Sequence, residues 1–139
     1  MEEYKVVYNS KHGGFGLSKE GIEEYNNRTG KKYNDFEADD IDRDDPILIQ
    51  LVEEIGDKIN NKYSKLKIRS FPIKYKKFLK WNEYDGKETV NIDYDKYLIH
   101  HVEIILLDDD NDTDVQKIHH IKDLYKEYNK EYNKEYNKK

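Results

Sequence analysis

Apolar residues gather in a few segments of this chain, and their spacing predicts most of its elements. Tyr4-Lys5-Val6-Val7-Tyr8 is rich in β-branched and aromatic residues and predicts a first strand. It runs into Asn9-Ser10-Lys11-His12-Gly13-Gly14-Phe15-Gly16, a loop in which three glycines permit positive φ or close backbone approach. Ser18 suits the N-cap of a helix reaching about Asn27, with Gly30 as its stop. The clearest element follows a polar, acidic loop over 31–45. Asp45 can cap it, Pro46 suits the first helical position, and Ile47, Leu48, Leu51, Val52, Ile55 and Ile59 form one stripe, predicting a core helix over 46–60.

Further along, Leu66 to Phe71 alternates and predicts a strand stopped by Pro72. Residues 74–80 fit a strand through in-phase Tyr75, Lys77 and Leu79, Glu83 to Lys87 is a turn, and 88–93 a short strand. The most hydrophobic run, Tyr97 to Leu107, reads as a strand, with a helix as the alternative because short apolar runs have no decisive period. Val115, Ile118, Ile121 and Leu124 have helical spacing, and Glu-Tyr-Asn-Lys then repeats from Glu127, Glu131 and Glu135. Slippage in the gene explains that repeat without any function. The sum is an α+β protein: a small, mainly antiparallel sheet with two helices on one face. The core domain is expected over 1–107, an acidic linker over 108–114, and a helical or disordered tail over 115–139.

Composition narrows the picture. Only 35% of the 139 residues are hydrophobic and 40% are charged, so the core must be concentrated in those few segments. With 13 Tyr, rings can be buried while hydroxyls stay wet. The absence of Cys excludes disulfides and thiolate zinc sites. With an acidic N-terminus and no apolar span, this predicts an intracellular protein with no membrane partner. A net charge of −5 disfavours general binding to nucleic acid. One local exception is Lys74, Lys76, Lys77 and Lys80, interleaved with Tyr75 and Phe78 and followed by Trp81. Lysines guarding an edge strand explain that segment more simply. Heavy use of Lys, Asn, Tyr and Ile, with one Ala, follows A/T-rich codons.

Each chemical constellation competes with a structural explanation. The strand, glycine loop and helix over 4–27 could bind phosphate through freed amides, with His12 as donor or proton carrier. Gly13-Gly14-Phe15-Gly16 matches neither the dinucleotide fingerprint nor the P-loop, and a tight turn explains it. His100, His101 and Glu103 supply at most two ligands on one strand face, short of a zinc set. Asp108, Asp110 and Asp112 begin like a calcium loop, which fails at Thr113 and His119. Asp44 and Asp45 are explained by helix capping. No metal or cofactor is therefore expected.

Three blocks together carry a resemblance. Asn9 to Ser18, ending Gly13-Gly14-Phe15-Gly16-Leu17-Ser18, resembles the Y-G-G-F-G-L-S signature of a family of small proteins from phages and large DNA viruses. Arg43-Asp44-Asp45-Pro46 with Val52, Glu53, Glu54, Ile55 and Gly56 is similar to that family's R-x-D-P…V-E-E-L-G helix. Leu66-Lys67-Ile68 and Glu83-Tyr84-Asp85-Gly86-Lys87-Glu88 look like its final strand and E-Y-D-G-x-E turn. The match spans about residues 4–92, with His12 where the family has Tyr. It implies a viral origin more than a mechanism, and a place in the host cytoplasm or the virion.

Three readings follow. The leading one is a noncatalytic viral accessory or protein-interaction module. The second is an enzyme or ligand-binding protein with a site at His12, Gly13, Gly14, Gly16 and Ser18, completed by Arg43 and Asp85. The third is a nucleic-acid-associated protein using the lysines of 74–80. Convergence of His12, Ser18, Arg43 and Asp85 on one pocket would favour the second.

Overall fold

A computed structural model describes residues 2–108 and 113–136. The fold is α+β, with two small antiparallel sheets and four α-helices, and the chain forms two compact units, 1–91 and 92–139.

In the first unit, β1 (Glu3–Asn9) pairs antiparallel with β2 (Leu66–Pro72), setting Val7 opposite Ile68 and Asn9 opposite Leu66. Side chains alternate across the sheet, so Val7, Leu66 and Ile68 share one face while Val6 and Phe71 share the other. The first face carries α1 (Lys19–Thr29) and α2 (Pro46–Ile55). Val7, Ile22, Tyr25, Leu48, Leu51 and Ile59 pack there into one core. On the second face Arg69 lies over the Phe71 ring and reaches the Val90 carbonyl and Asn91 Oδ1, tying in the hairpin β3 (Leu79–Tyr84) and β4 (Lys87–Ile92).

The helix signals act as expected. Ser18 Oγ accepts the Gly21 N–H at 3.1 Å, and Gly30 closes α1 in the left-handed region at φ 76°. Asp45 Oδ1 accepts the Ile47 and Leu48 N–H groups, and Pro46 opens α2. The helix predicted over 46–60 ends early, at Ile55. Gly56 turns the chain at φ 63°, and a single 3₁₀ turn, Gly56–Ile59, brings Ile59 into the core.

Three expectations change. The single sheet is two sheets: the Val7 N–H donates to the Arg43 carbonyl at 2.7 Å, so a loop and not a strand covers the free edge of β1 there. Residues 74–80 are a 3₁₀ turn, Ile73–Tyr75, followed by the start of β3. Tyr75 and Phe78 are both buried, a spacing of three that suits a turn and not a strand. The run 97–107 is helical, within α3 (Tyr94–Leu107), which Asp93 caps by accepting the Lys96 N–H.

The second unit holds α3 and α4 (Asp114–Tyr136), the helix expected in the tail. Most of the acidic linker, 109–112, lies outside the described residues, as do 137–139. No described helix is long and apolar enough to cross a membrane.

Tyr25 links core and cap. Its ring is fully buried and its hydroxyl donates to Asp45 Oδ2 at 2.8 Å. Burial first, then the hydrogen bond and charge of Asp45, raise its pKa well above the ordinary tyrosine value. The folded state therefore holds this proton more tightly than the unfolded chain does. That contribution is complete below about pH 10 and is lost as the pH rises above it. The urea midpoint should accordingly fall as the pH rises from about 10 to about 11 and continue to fall beyond it. Tyr25→Phe should cost about 1 kcal/mol at neutral pH and flatten that fall. An alkaline profile unchanged by the substitution would contradict this role.

Candidate functional site

The glycine loop and the β3–β4 turn meet at the end of β1. Asp85 and Gly86 are the two central residues of the hairpin, at φ 53° and 85°, the left-handed pair that an Asp-Gly turn favours. The Gly13 N–H donates to the Asp85 carbonyl at 2.7 Å. Gly86 then lies directly on the Gly13–Gly14 peptide, so close that a Cβ at 86 would come within 2.6 Å of Gly13 C and Gly14 Cα. Any side chain there would collide with main chain. Two glycine motifs separated by some 70 residues are thus each other's packing partners.

Asn9 seals this junction. Its side chain is fully buried and uses its whole hydrogen-bonding capacity. Nδ2 donates to the carbonyls of Lys11 and Gly86, both at 2.8 Å, and Oδ1 accepts the N–H groups of Lys65 at 2.8 Å and Lys11 at 3.4 Å. The Asn9 main-chain N–H donates to Glu88 Oε1 at 2.9 Å.

Glu88 in turn holds Arg43. Arg43 Nε lies 3.2 Å from both Glu88 oxygens and Nη2 lies 3.0 Å from Oε2. The same guanidinium donates to Asp39 Oδ1 at 2.7 Å and to the carbonyls of Asp39 and Ile41, and it stacks 3.5 Å from the Phe15 ring centre. Phe15 is thereby fixed as a platform under one face of Arg43, and all five N–H donors of the cation are engaged.

Of the predicted site residues, His12, Gly13, Gly14 and Asp85 line one small pocket with Glu83 and Gly86. His12 is exposed, with Nδ1 3.3 Å from the Tyr84 carbonyl. Arg43 lines an adjoining cleft of about 710 Å³ that shares Gly14, Glu83 and Gly86 with that pocket. Gly16 and Ser18 go elsewhere. The Gly16 carbonyl accepts the Ser64 hydroxyl, and Ser18 Oγ donates to the Lys58 carbonyl at 2.7 Å while capping α1. His12, Ser18, Arg43 and Asp85 therefore do not share a pocket.

The cleft is acidic. Asp39, Asp40, Asp42, Glu83 and Glu88 line it, with Trp81 on its wall, and Arg43 is the one cation among the described residues of its lining. Asp44 and Asp45 face other duties. The Tyr4 hydroxyl donates to Asp44 Oδ2 at 2.8 Å, and burial together with Asp44 pushes that phenol up to about 12, while Asp45 serves α2 and Tyr25. Among the described residues no group of three or more His, Asp or Glu side chains is set to hold a metal ion.

Sequence reasoning missed Asn9 and Asp39, and it saw Glu88 only as part of a turn. An Asn directly after a strand and before a glycine loop is a weak signal. Its partners at 65, 86 and 88 are set by tertiary approach and by no local spacing.

Substitutions at Gly86 and Glu88, with Gly30 as a control, test this junction. Gly86→Ala combines a strained φ with a collision against main chain and should cost about 2–4 kcal/mol in urea unfolding. Gly30→Ala, equally left-handed but facing open space, should cost only about 1 kcal/mol. Glu88→Ala should cost about 1–2 kcal/mol, because half-buried Arg43 keeps Asp39 but loses its second carboxylate and the Asn9 N–H loses its acceptor, with Glu88→Gln intermediate. Equal costs at the two glycines, or a neutral Glu88→Ala, would contradict the packing described.

No protein-family model matches the chain, and no curated protein or solved structure proves similar to it.

Proposed function

We propose that the chain is a noncatalytic interaction module whose cleft beside Trp81 receives a positively charged segment of a partner protein, a lysine or arginine side chain at its centre. One observation carries the reading. The only cation lining the cleft, among the described residues, is spent on Glu88, Asp39, two carbonyls and the Phe15 ring, while Asp40, Asp42 and Glu83 are exposed around Trp81. Carboxylates beside an indole attract a cation both by charge and through the ring face. An anionic substrate meets repulsion in the same place.

The groups suited to catalysis support this reading by their other duties. Ser18 is a cap, Asp44 and Asp45 hold tyrosines and a helix end, and the glycine loop is filled by the hairpin turn. The nucleic-acid reading keeps its lysines but loses two of its stacking rings, since Tyr75 and Phe78 are buried and Trp81 faces the acidic cleft. An accessory role in a large DNA virus agrees with the motif resemblance and the A/T-rich codon bias, and belongs to the same proposal.

The chain has a single Trp beside its 13 Tyr, so emission excited at the red edge, where tyrosine does not absorb, reports on the cleft. Titration with an oligolysine peptide should shift the Trp81 emission, with an affinity that falls as salt is added. Asp42→Asn and Glu83→Gln should each weaken binding by about three- to five-fold. Emission that ignores basic peptides, or responds to inorganic phosphate or oligonucleotides instead, would overturn the reading.

A further inference from the structure

The second unit is an antiparallel hairpin of α3 and α4 whose register is fixed at two points. Lys117 Nζ lies 3.4 Å from the Leu106 carbonyl, and the Tyr128 hydroxyl donates to Asp95 at 2.6 Å. Interpolating at about 1.5 Å per residue sets Leu106 within one residue of level with Ile118, and Ile99 within one residue of level with Tyr125.

Ile99 and Leu106 are one heptad apart on α3, as Ile118 and Tyr125 are on α4, so each pair forms a line along its helix. Half-buried Leu98 and Ile105 on one helix, with Leu124 and Tyr128 on the other, mark the sides turned inward. At about 100° per residue the two outer lines then lie on the same side of the hairpin. All four side chains on them are more than half exposed, at 58%, 56%, 52% and 53% for Ile99, Leu106, Ile118 and Tyr125. The most hydrophobic run in the chain thus buries little of itself: within α3 only Tyr94 is fully buried. Grouped apolar exposure of this kind marks an interaction surface.

We propose that this face pairs with the same face of a second copy of the chain, forming a four-helix dimer. The face is complementary to itself. A two-fold axis parallel to the helices lays α3 of one copy antiparallel on α4 of the other and leaves every height unchanged. Leu106 then meets Ile118 of the second copy and Ile99 meets its Tyr125. Glu103 is level with residue 120, which brings it about 3 Å along the axis from Lys122 of the second copy. Both of these charges are exposed. Apolar side chains meet apolar ones and an anion meets a cation, twice over by symmetry. Two helices side by side present a face roughly 20 Å wide over the ~21 Å of α3, about 400–550 Å² with the overhang of α4, below the ~800 Å² that each partner gives to a standard interface and in keeping with a weak, micromolar dimer.

Sedimentation equilibrium on the full chain between about 1 and 100 µM tests this. A dimer with micromolar Kd is expected. Leu106→Glu and Ile118→Glu should each weaken it by about ten-fold or more, with helicity by circular dichroism unchanged. Glu103→Lys and Lys122→Glu should each weaken it several-fold, and the double swap should restore it. Three results would overturn the proposal: a monomer throughout the range, a dimer indifferent to all four substitutions, or a monomer that uses this face to bind anionic lipid vesicles.

Discussion

Gly86 resting on the Gly13–Gly14 peptide is the contact on which the first unit depends. Main chain touches main chain, which is feasible only where no side chain intervenes on the approaching side. Everything polar trapped at that approach must then find a partner, because an unsatisfied buried group costs about 1–3 kcal/mol. Asn9 meets this demand with all of its donors and acceptors, and Glu88 takes the last N–H of β1. Arg43 neutralises Glu88 and in doing so holds the loop that closes the edge of β1. Strand, glycine loop, acidic loop and hairpin turn are therefore one cooperative junction.

The same packing decides the electrostatics of the cleft. An arginine in a glycine-lined cleft ordinarily suggests a phosphate site, yet here Phe15 and two carboxylates enclose it. What remains toward solvent is carboxylate and indole. The second unit follows a different logic. Its helices bury few apolar side chains between them and leave a matched row of others outside. In the two proposals, charge directs recognition in the first unit and apolar area in the second.

Much of this was legible in the chain. Strand and helix signals at Tyr4–Tyr8, Ser18, Asp45-Pro46 and Leu66–Phe71 act locally, and each forms the element expected within a few residues. The turn expected over Glu83 to Lys87 forms, with Asp85 and Gly86 as its two central residues. The run 97–107 misled because it is apolar on several sides at once, which hides the helical period. A helix with one face against its neighbour and another left exposed reads like a fully buried strand. Asp93 as cap and the added length from Tyr94 were the signals favouring the helix. At the site, the glycines and Asp85 were visible because turn geometry is local. Asn9, Asp39 and the pairing of Glu88 with Arg43 were hidden, since their partners lie far off in sequence and are chosen by packing.

The central claim is that the glycine loop is closed by the hairpin turn and is not an open cradle for a ligand. Amide hydrogen exchange followed by NMR addresses it residue by residue. If the turn is docked, the N–H groups of Asn9 and Gly13, held by Glu88 and by the Asp85 carbonyl, will exchange as slowly as the Val7 amide, which the Arg43 carbonyl holds on the same edge of β1. Exchange of Gly13 and Asn9 at the rate of a solvated loop, beside a protected Val7, would contradict the account.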